Sequence, residues 1–456
     1  MSQSKRQLHL NLFIMNAGHH EAAWRHQGTE PQNITDIEYF ARLAKTAEDA
    51  KFDSLFLADG LAINNNIKHG AFVGLEPFTL LSALASVTKR IGLIGTVSTT
   101  YNEPFHVARK FASLDHISKG RAGWNIVTSG SAVEANNFNK DSHLEHGKRY
   151  ERANEFLQVT TGLWDSWEDD ALVIDRESGT FANHHKVRSI NHVGDSFKVR
   201  GPLNIPRSPQ GYPVLVQAGS SEDGKEFAAQ YAEAIFTAQQ TLLEAQLFYS
   251  DVKARLAKYG RSPEQLLILP GICPIIGSTE SEAKEKEQEL NELTVIDYGL
   301  TQLSNMLNVD LYTYPLDGKL PELPRLEEIN GNKSRFQLVV DLATREDLTI
   351  RQLLHRLAGG RGHRTFAGTA VQIADQLEEW FVNGGSDGFN VMPPYLPAGL
   401  EEFAEQVIPE LQRRGLFRTD YDGHTLREHF GLKRPVNPYS AASTSGAAGA
   451  AVAANS

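Results

Sequence analysis

What most limits the folding options of this 456-residue chain is a series of eight short apolar runs, most of them separated by helical patterns. The runs occupy residues 8–15, 54–58, 91–97, 122–127, 213–217, 234–238, 266–276 and 388–392. They are apolar at consecutive positions, so both faces are expected to be buried, as in parallel strands covered by helices. Between the first two runs, Thr35 and Glu38 have the spacing of a capping box, and Ile37, Phe40, Ala41, Ala44 and Ala47 share one helical face. A second stripe, Leu80, Leu81, Leu84 and Ala85, marks a helix over 77–88. Further helical patterns cover 106–117, 143–164, 224–231, 242–259, 370–382 and 400–414. Eight strands with intervening helices predict an α/β fold, a (β/α)8 TIM barrel. An open doubly wound sheet would more often use fewer strands and a Gly-rich phosphate turn after the first. The sequence from Asn16 to Glu21 lacks that spacing.

Two segments exceed a minimal barrel. Residues 165–212 read as short strands and loops, and residues 279–361 carry a charged helix, a Pro-rich link at 314–324 and another helix. An insertion after a strand end lies on the catalytic face, so 279–361 is expected to form a lid or substrate-pocket wall. The expected organisation is a barrel over 1–278 and 362–436, the insertion, and a disordered Ala/Ser/Gly-rich tail over 437–456. The net charge of −11 argues against a general nucleic-acid binder. No apolar stretch approaches the roughly 20 residues that span a bilayer, and no signal-like segment opens the chain, so a cytoplasmic location is expected. Cys273 is the single cysteine, which excludes an intramolecular disulfide and a Cys-based zinc site.

Chemistry is expected where strands end in polar residues. Asp59 ends the second run, where it either points into the barrel mouth or caps a turn before Gly60. Ser98, Thr99 and Thr100 end the third; Asn125, Thr128 and Ser129 end the fourth, after Trp124. His146 and Tyr150 are four apart and share a helix face. Ser220 and Ser221 follow Gly219 before a helix, a sequence that lets a phosphate approach backbone N–H groups. His19 and His20 follow the first run and are candidate acid/base groups. Arg361, His363 and Arg364 place cations near the pocket or cover a surface. His143, Glu145 and His146 lack a third ligand at a metal-site spacing, so no metal is expected. No nucleophile elbow, P-loop or His-Glu-x-x-His motif is present. Redox chemistry on such a barrel would need a cofactor.

Seven segments carry a family resemblance: 75–81, 99–109, 112–129, 145–150, 199–211, 217–221 and 387–397. The longest runs from Ala112 through Gly120-Arg121-Ala122-Gly123-Trp124-Asn125 to Ser129. Through them the chain resembles the flavin-dependent monooxygenases of the bacterial luciferase-like superfamily. The branch is that of nitrilotriacetate monooxygenase component A, EDTA monooxygenase and dibenzothiophene-sulfone monooxygenase. The resemblance implies FMN bound in reduced form (FMNH2), O2 as co-substrate, and a separate NAD(P)H:FMN oxidoreductase as partner. It implies transfer of one oxygen atom to a small N- or S-containing substrate, with C–N or C–S cleavage. An aminopolycarboxylate like nitrilotriacetate is favoured over a sulfone or thioether, or over a deazaflavin F420-dependent dehydrogenase. Family positions put Asp59, Thr100, His146, Tyr150 and Ser221 on the flavin, with Ser98, Asn125 and Ser220 beside them. Phe13, Phe56 and Trp124 would wall the pocket, and His19 or His20 would hydrogen-bond the oxygenated ring. Relatives of this kind are commonly homo-oligomers.

Overall fold

The computed structural model describes residues 6–63, 67–70, 73–329 and 333–440. Its main sheet has nine parallel strands. They are β1 (His9–Ile14), β2 (Ser54–Leu57), β3 (Gly92–Ser98), β4 (Ala122–Val127), β5 (Val214–Gln217), β6 (Ala234–Thr237), β7 (Leu267–Ile276), β8 (Arg364–Gly368) and β9 (Gly388–Val391). Eight of them close a ring in the order β1-β2-β3-β4-β5-β6-β7-β9, with β9 back on β1. This is the expected (β/α)8 barrel. The strand that sequence patterning missed is β8, which pairs with the far half of β7, Ile272 to Ile276. Its residues are mostly half-buried and it opens on Arg364, so it lacks a doubly apolar signature.

Helices α1 (Ile37–Asp49), α2 (Pro77–Val87), α3 (Pro104–Ser118), α4 (His146–Trp164), α5 (Glu222–Tyr231) and α6 (Leu242–Arg255) follow the first six strands. Their starts are chemically marked. Asp36 accepts from the Glu38 N–H at α1, Glu76 caps α2 ahead of Pro77, and Thr241 with Glu244 forms a capping box at α6. The insertion contributes α7 (Glu280–Glu292), α8 (Ile296–Leu307), α9 (Lys333–Arg345) and α10 (Ile350–Ala358). Leu303, Leu307, Phe336, Val339 and Leu353 give it a hydrophobic cluster of its own. After β8 the chain forms α11 (Ala370–Val382) and then β9. Segment 165–212 forms two short antiparallel hairpins, as its sequence suggested.

Strand alternation separates two environments. Phe13, Phe56 and Ile94 stand opposite one another in register and point into the barrel. Phe13 meets Phe56 edge-on at 4.9 Å and Phe236 at 5.6 Å, so aromatic rings fill the lumen below the mouth. Leu426 and Phe430 belong to the same cluster and plug the lower end, against Gly92 and Gly123, where a Cβ would strike the Leu426 side chain.

Trp124 does not wall this interior. It faces the helix layer among Phe111, Phe156 and Trp164, and its indole N–H donates to the Val97 carbonyl at 3.1 Å. The reason is parity: Asn125, its neighbour on β4, takes the inward direction. Residues 437–440, which the sequence reading put in the tail, are among the described residues and pack on the barrel. Asn437 is buried and donates to the carbonyls of Asp165 at 3.0 Å and Trp167 at 2.8 Å. The remainder, 441–456, lies outside the described residues. No helix among the described residues is long and apolar enough to cross a membrane.

Because Trp124 is core, Trp124→Ala should lower unfolding free energy by about 3–5 kcal/mol, read from denaturant melts. The milder Trp124→Phe should leave affinity for reduced flavin within about twofold of wild type, which a pocket-wall residue would not.

Candidate active site

The ends of β2, β4 and β5 converge on a cavity of about 340 Å³. Asp59, Thr128, Ser129, His146, Arg149, Tyr150, Gln217, Gly219 and Ser221 line it, and Lys333 and Ser334 of the insertion reach its edge. Four of the residues expected on the flavin therefore meet in one place: Asp59, His146, Tyr150 and Ser221.

One wall is built like an anion cradle. Ser221 caps α5, its Oγ accepting the Gly224 N–H at 3.2 Å. The Tyr150 hydroxyl hydrogen-bonds the side chains of Ser221 and Thr128, and burial pushes its pKa up, so it stays a protonated donor. A Cβ on Gly219 or Gly224 would lie 3.1 Å from that hydroxyl, so both glycines keep the space open. Helix N–H groups, two hydroxyls and the Arg149 cation suit a phosphate. Gly219 N–H is turned aside by the Gln217 side chain, which accepts it at 2.8 Å.

The acidic first turn of α5 is answered locally. His146 Nδ1–H donates to Asp223 at 2.9 Å. Burial and then Arg149 lower the His146 pKa against the pull of Asp223, so the ring is neutral at pH 7. Asp59 accepts the Gly60 N–H at 3.0 Å, combining the two readings its sequence left open: it caps the turn and it edges the cavity. Burial raises its pKa, and Glu76 and Glu134 add to the effect.

Ser98, Thr100 and Asn125 stand behind the cavity wall. Ser98 Oγ pairs with Ser129 Oγ at 2.9 Å and accepts the Thr100 N–H at 3.2 Å; Thr100 donates to the Thr128 carbonyl at 2.7 Å. They hold the turn in which Ser129 has a left-handed φ of 59°. Asn125 donates to Thr96 Oγ1 at 2.8 Å, and its Oδ1 is buried inside the barrel with no partner. Ser220 pairs with Thr237 at 3.0 Å and edges a neighbouring cavity of about 600 Å³.

The two early histidines differ in what they leave available. His20 accepts the Ala22 N–H on Nδ1 at 3.1 Å, so its Nε2–H donates to Asn291 at 3.3 Å and both nitrogens are occupied. His19 Nε2–H donates to the Phe13 carbonyl at 3.0 Å. Its Nδ1 is therefore a bare acceptor, buried and unpartnered. Burial, opposed by that carbonyl and assisted by Arg361, holds the His19 pKa down at about 3.

Sequence reading left His363 open between the pocket and a surface, and it did not single out Arg335. His363 stacks on Phe236 with centroids 4.8 Å apart, and its Nε2 accepts from Arg335 at 3.2 Å. That fixes the proton on Nδ1, which is buried without a partner. Their signal was weak because β8 was invisible and α9 belongs to an insertion. Cys273 is buried, and its pKa is pushed up to about 12 by burial. Among the described residues no group of His, Cys, Asp and Glu could hold a metal.

Comparison with known proteins gives the family. A family model described as luciferase-like monooxygenase matches residues 13–388. The chain is 53% identical over 440 residues to N-acetyl-S-(2-succino)cysteine monooxygenase of Bacillus subtilis (strain 168), covering 96% of this chain and 100% of that one. It is 51% identical to nitrilotriacetate monooxygenase component A of Aminobacter aminovorans, covering 95% and 98%. A solved riboflavin lyase, crystallised with modified FMN and riboflavin, superposes with a TM-score of 0.85 at 30% identity, covering 94% of this chain and 97% of that one. The chain belongs to the luciferase-like monooxygenase family. It is an enzyme, a flavin-dependent monooxygenase.

Filling the cradle should weaken it. Gly219→Ala places a methyl group 2.4 Å from Gln217 Nε2 and 3.1 Å from the Tyr150 hydroxyl. Affinity for reduced flavin, measured by anaerobic titration, should fall at least about tenfold while the melting temperature of the flavin-free protein barely moves.

Proposed function

We propose that this chain is the oxygenase component of a two-component system. It takes FMNH2 from a separate NAD(P)H:FMN oxidoreductase and uses O2 to oxidise a small substrate carrying carboxylates around a nitrogen or sulfur. The balance is substrate plus O2 plus FMNH2 giving oxygenated substrate, water and FMN. Oxygen placed next to the heteroatom then leads to C–N or C–S cleavage.

The observation that carries this reading is the meeting of Asp59, His146, Tyr150 and Ser221 in one cavity under Lys333 and Ser334. The flavin, when bound, supplies the two electrons and activates oxygen. The chain's own contribution is positional. Ser221, Tyr150 and the start of α5 would hold the phosphate, with Arg149 supplying charge. Asp59 and the turn 128–129 would border the ring. Phe13, Phe56 and Phe236 keep water from below the mouth. His19, neutral above about pH 4, offers Nδ1 as an acceptor, and His363 offers Nδ1–H as a donor.

The substrate class follows from the two relatives that share half of the residues. One acts on nitrilotriacetate, an amine with three carboxymethyl arms, the other on N-acetyl-S-(2-succino)cysteine, a thioether with three carboxylates. An aminopolycarboxylate remains the favoured substrate, and a polycarboxylated thioether is the second reading, supported by the 53% identity. A deazaflavin-dependent dehydrogenase has less support, since both of these relatives are monooxygenases.

The test supplies photoreduced FMN, 18O2 and either acid to the purified protein. The expected result is substrate-dependent product carrying one labelled oxygen atom, with one substrate consumed per FMNH2 at full coupling. Hydrogen peroxide alone with both acids would overturn the proposal.

A further inference from the structure

The cations near the barrel mouth divide sharply by what already engages them. Arg25 donates to the Leu293 carbonyl. Arg364 donates to the Gln240 carbonyl at 2.8 Å and to Gln376 at 2.5 Å, with its guanidinium 5.4 Å from the Trp380 ring in the helix layer. Neither lines the cavities at the mouth. Arg361 is held differently. It sits in the turn between α10 and β8 at a left-handed φ of 50°, and its N–H donates to the Leu357 carbonyl at 2.7 Å. Its side chain borders a cavity of about 290 Å³ whose other walls include Gly18 and His20 of the loop after β1 and Tyr298 of α8. The Arg361 Nε is shielded from solvent and makes no hydrogen bond, and no carboxylate among the described residues pairs with the guanidinium.

A guanidinium taken partly out of water without a partner is costly, and the cost is recovered when a carboxylate arrives. Its planar donor fork matches a carboxylate in two parallel hydrogen bonds. The acid facing the same cavity is Glu21, whose N–H is tied to the Ala358 carbonyl at 2.9 Å. Burial raises the Glu21 pKa against the pull of Arg361, and the two side chains form no ion pair. The cavity also adjoins the rest of the site. It shares Asn16 and Val73 with a cavity of about 470 Å³, and that one shares Asp59 with the anion cradle. The strand order puts β1 across the ring from β4 and β5, so Arg361 and the cradle face each other over the mouth.

We propose that Arg361 is the carboxylate-binding residue of the substrate subsite, clamping one arm of a small polycarboxylate in the cavity between the loop after β1 and α8. This assignment rests on the function proposed above and names its specificity-determining residue. It separates two anion sites in one mouth: the cradle at Ser221 for the flavin phosphate, and Arg361 for the substrate.

The test uses the full chain and two probes, nitrilotriacetate and N-acetyl-S-(2-succino)cysteine. Binding is measured by calorimetry, KM and kcat with photoreduced FMN, and FMNH2 affinity by anaerobic titration. Arg361→Gln should weaken binding of the acid that the wild type oxidises, and raise its KM, by about 10- to 100-fold. Its kcat should stay within about threefold and its FMNH2 affinity should be unchanged, which also reports that the variant is folded. Arg361→Lys should fall between, because charge survives without the fork. Glu21→Gln should tighten binding. If the wild type oxidises either acid and Arg361→Gln matches it in KM and affinity, this assignment fails alone. If the wild type binds FMNH2 but oxidises neither acid, the proposed function fails and takes the assignment with it.

Discussion

The pairing of β7 sets the shape of everything above the barrel. At ten residues it is longer than the ring needs. Its first four residues pair with β6, Gly271 and Ile272 pair with β9, and Ile272 to Ile276 pair with β8. The strand therefore projects past the rim before the chain leaves it. The four-helix insertion begins at that height, and β8 brings the chain back alongside the projecting half. The turn leading into β8 consequently lies over the mouth, which is where Arg361 and His363 are found. A β7 trimmed to the length of its neighbours would leave neither residue a place there.

The interior holds both answered and unanswered polar groups. Asp53 is buried, and although burial opposes it, Arg418, His9 and the Leu10 N–H hold its pKa below the usual carboxylate range. In the lumen and at the mouth, other buried polar atoms stay unanswered: the amide oxygens of Asn11, Asn125 and Asn390, and one ring nitrogen each of His19 and His363. Each such atom costs about 1–3 kcal/mol. A folded protein tolerates that where a ligand is meant to complete the network, and the large apolar clusters outside the strands offset it.

Tautomers give this polarity a direction. A carbonyl below His19 and a guanidinium beside His363 dictate opposite protonation patterns. One ring offers a lone pair, the other an N–H, and burial keeps both neutral through the physiological range. The anion cradle, by contrast, is rich in donors: helix N–H groups, two hydroxyls and Arg149. The site thus grades from phosphate-seeking at β5 to donor–acceptor matched at β1 and β8.

Local chemistry is enough to decide much of this protein. Doubly apolar runs alternating with helical patterns fit parallel strands under helices, so the barrel was legible in them, and polar residues at strand ends marked the rim. Ser220 and Ser221 before a helix, and His146 and Tyr150 one turn apart, were readable because their geometry is set within a few residues. Other features were decided only by the folded chain. Trp124 faces outward because strand parity gives the lumen to Asn125, a choice that depends on register with β3 and β5. Which early histidine keeps a free nitrogen depends on Phe13, Ala22 and Asn291, the last supplied by α7 more than 270 positions away. Arg361, Arg364 and Arg25 are alike as residues. Only the pairing of β8 with β7 separates the cation that faces the cavity from those bound to backbone and helix, because contacts between distant segments leave no periodicity in the chain.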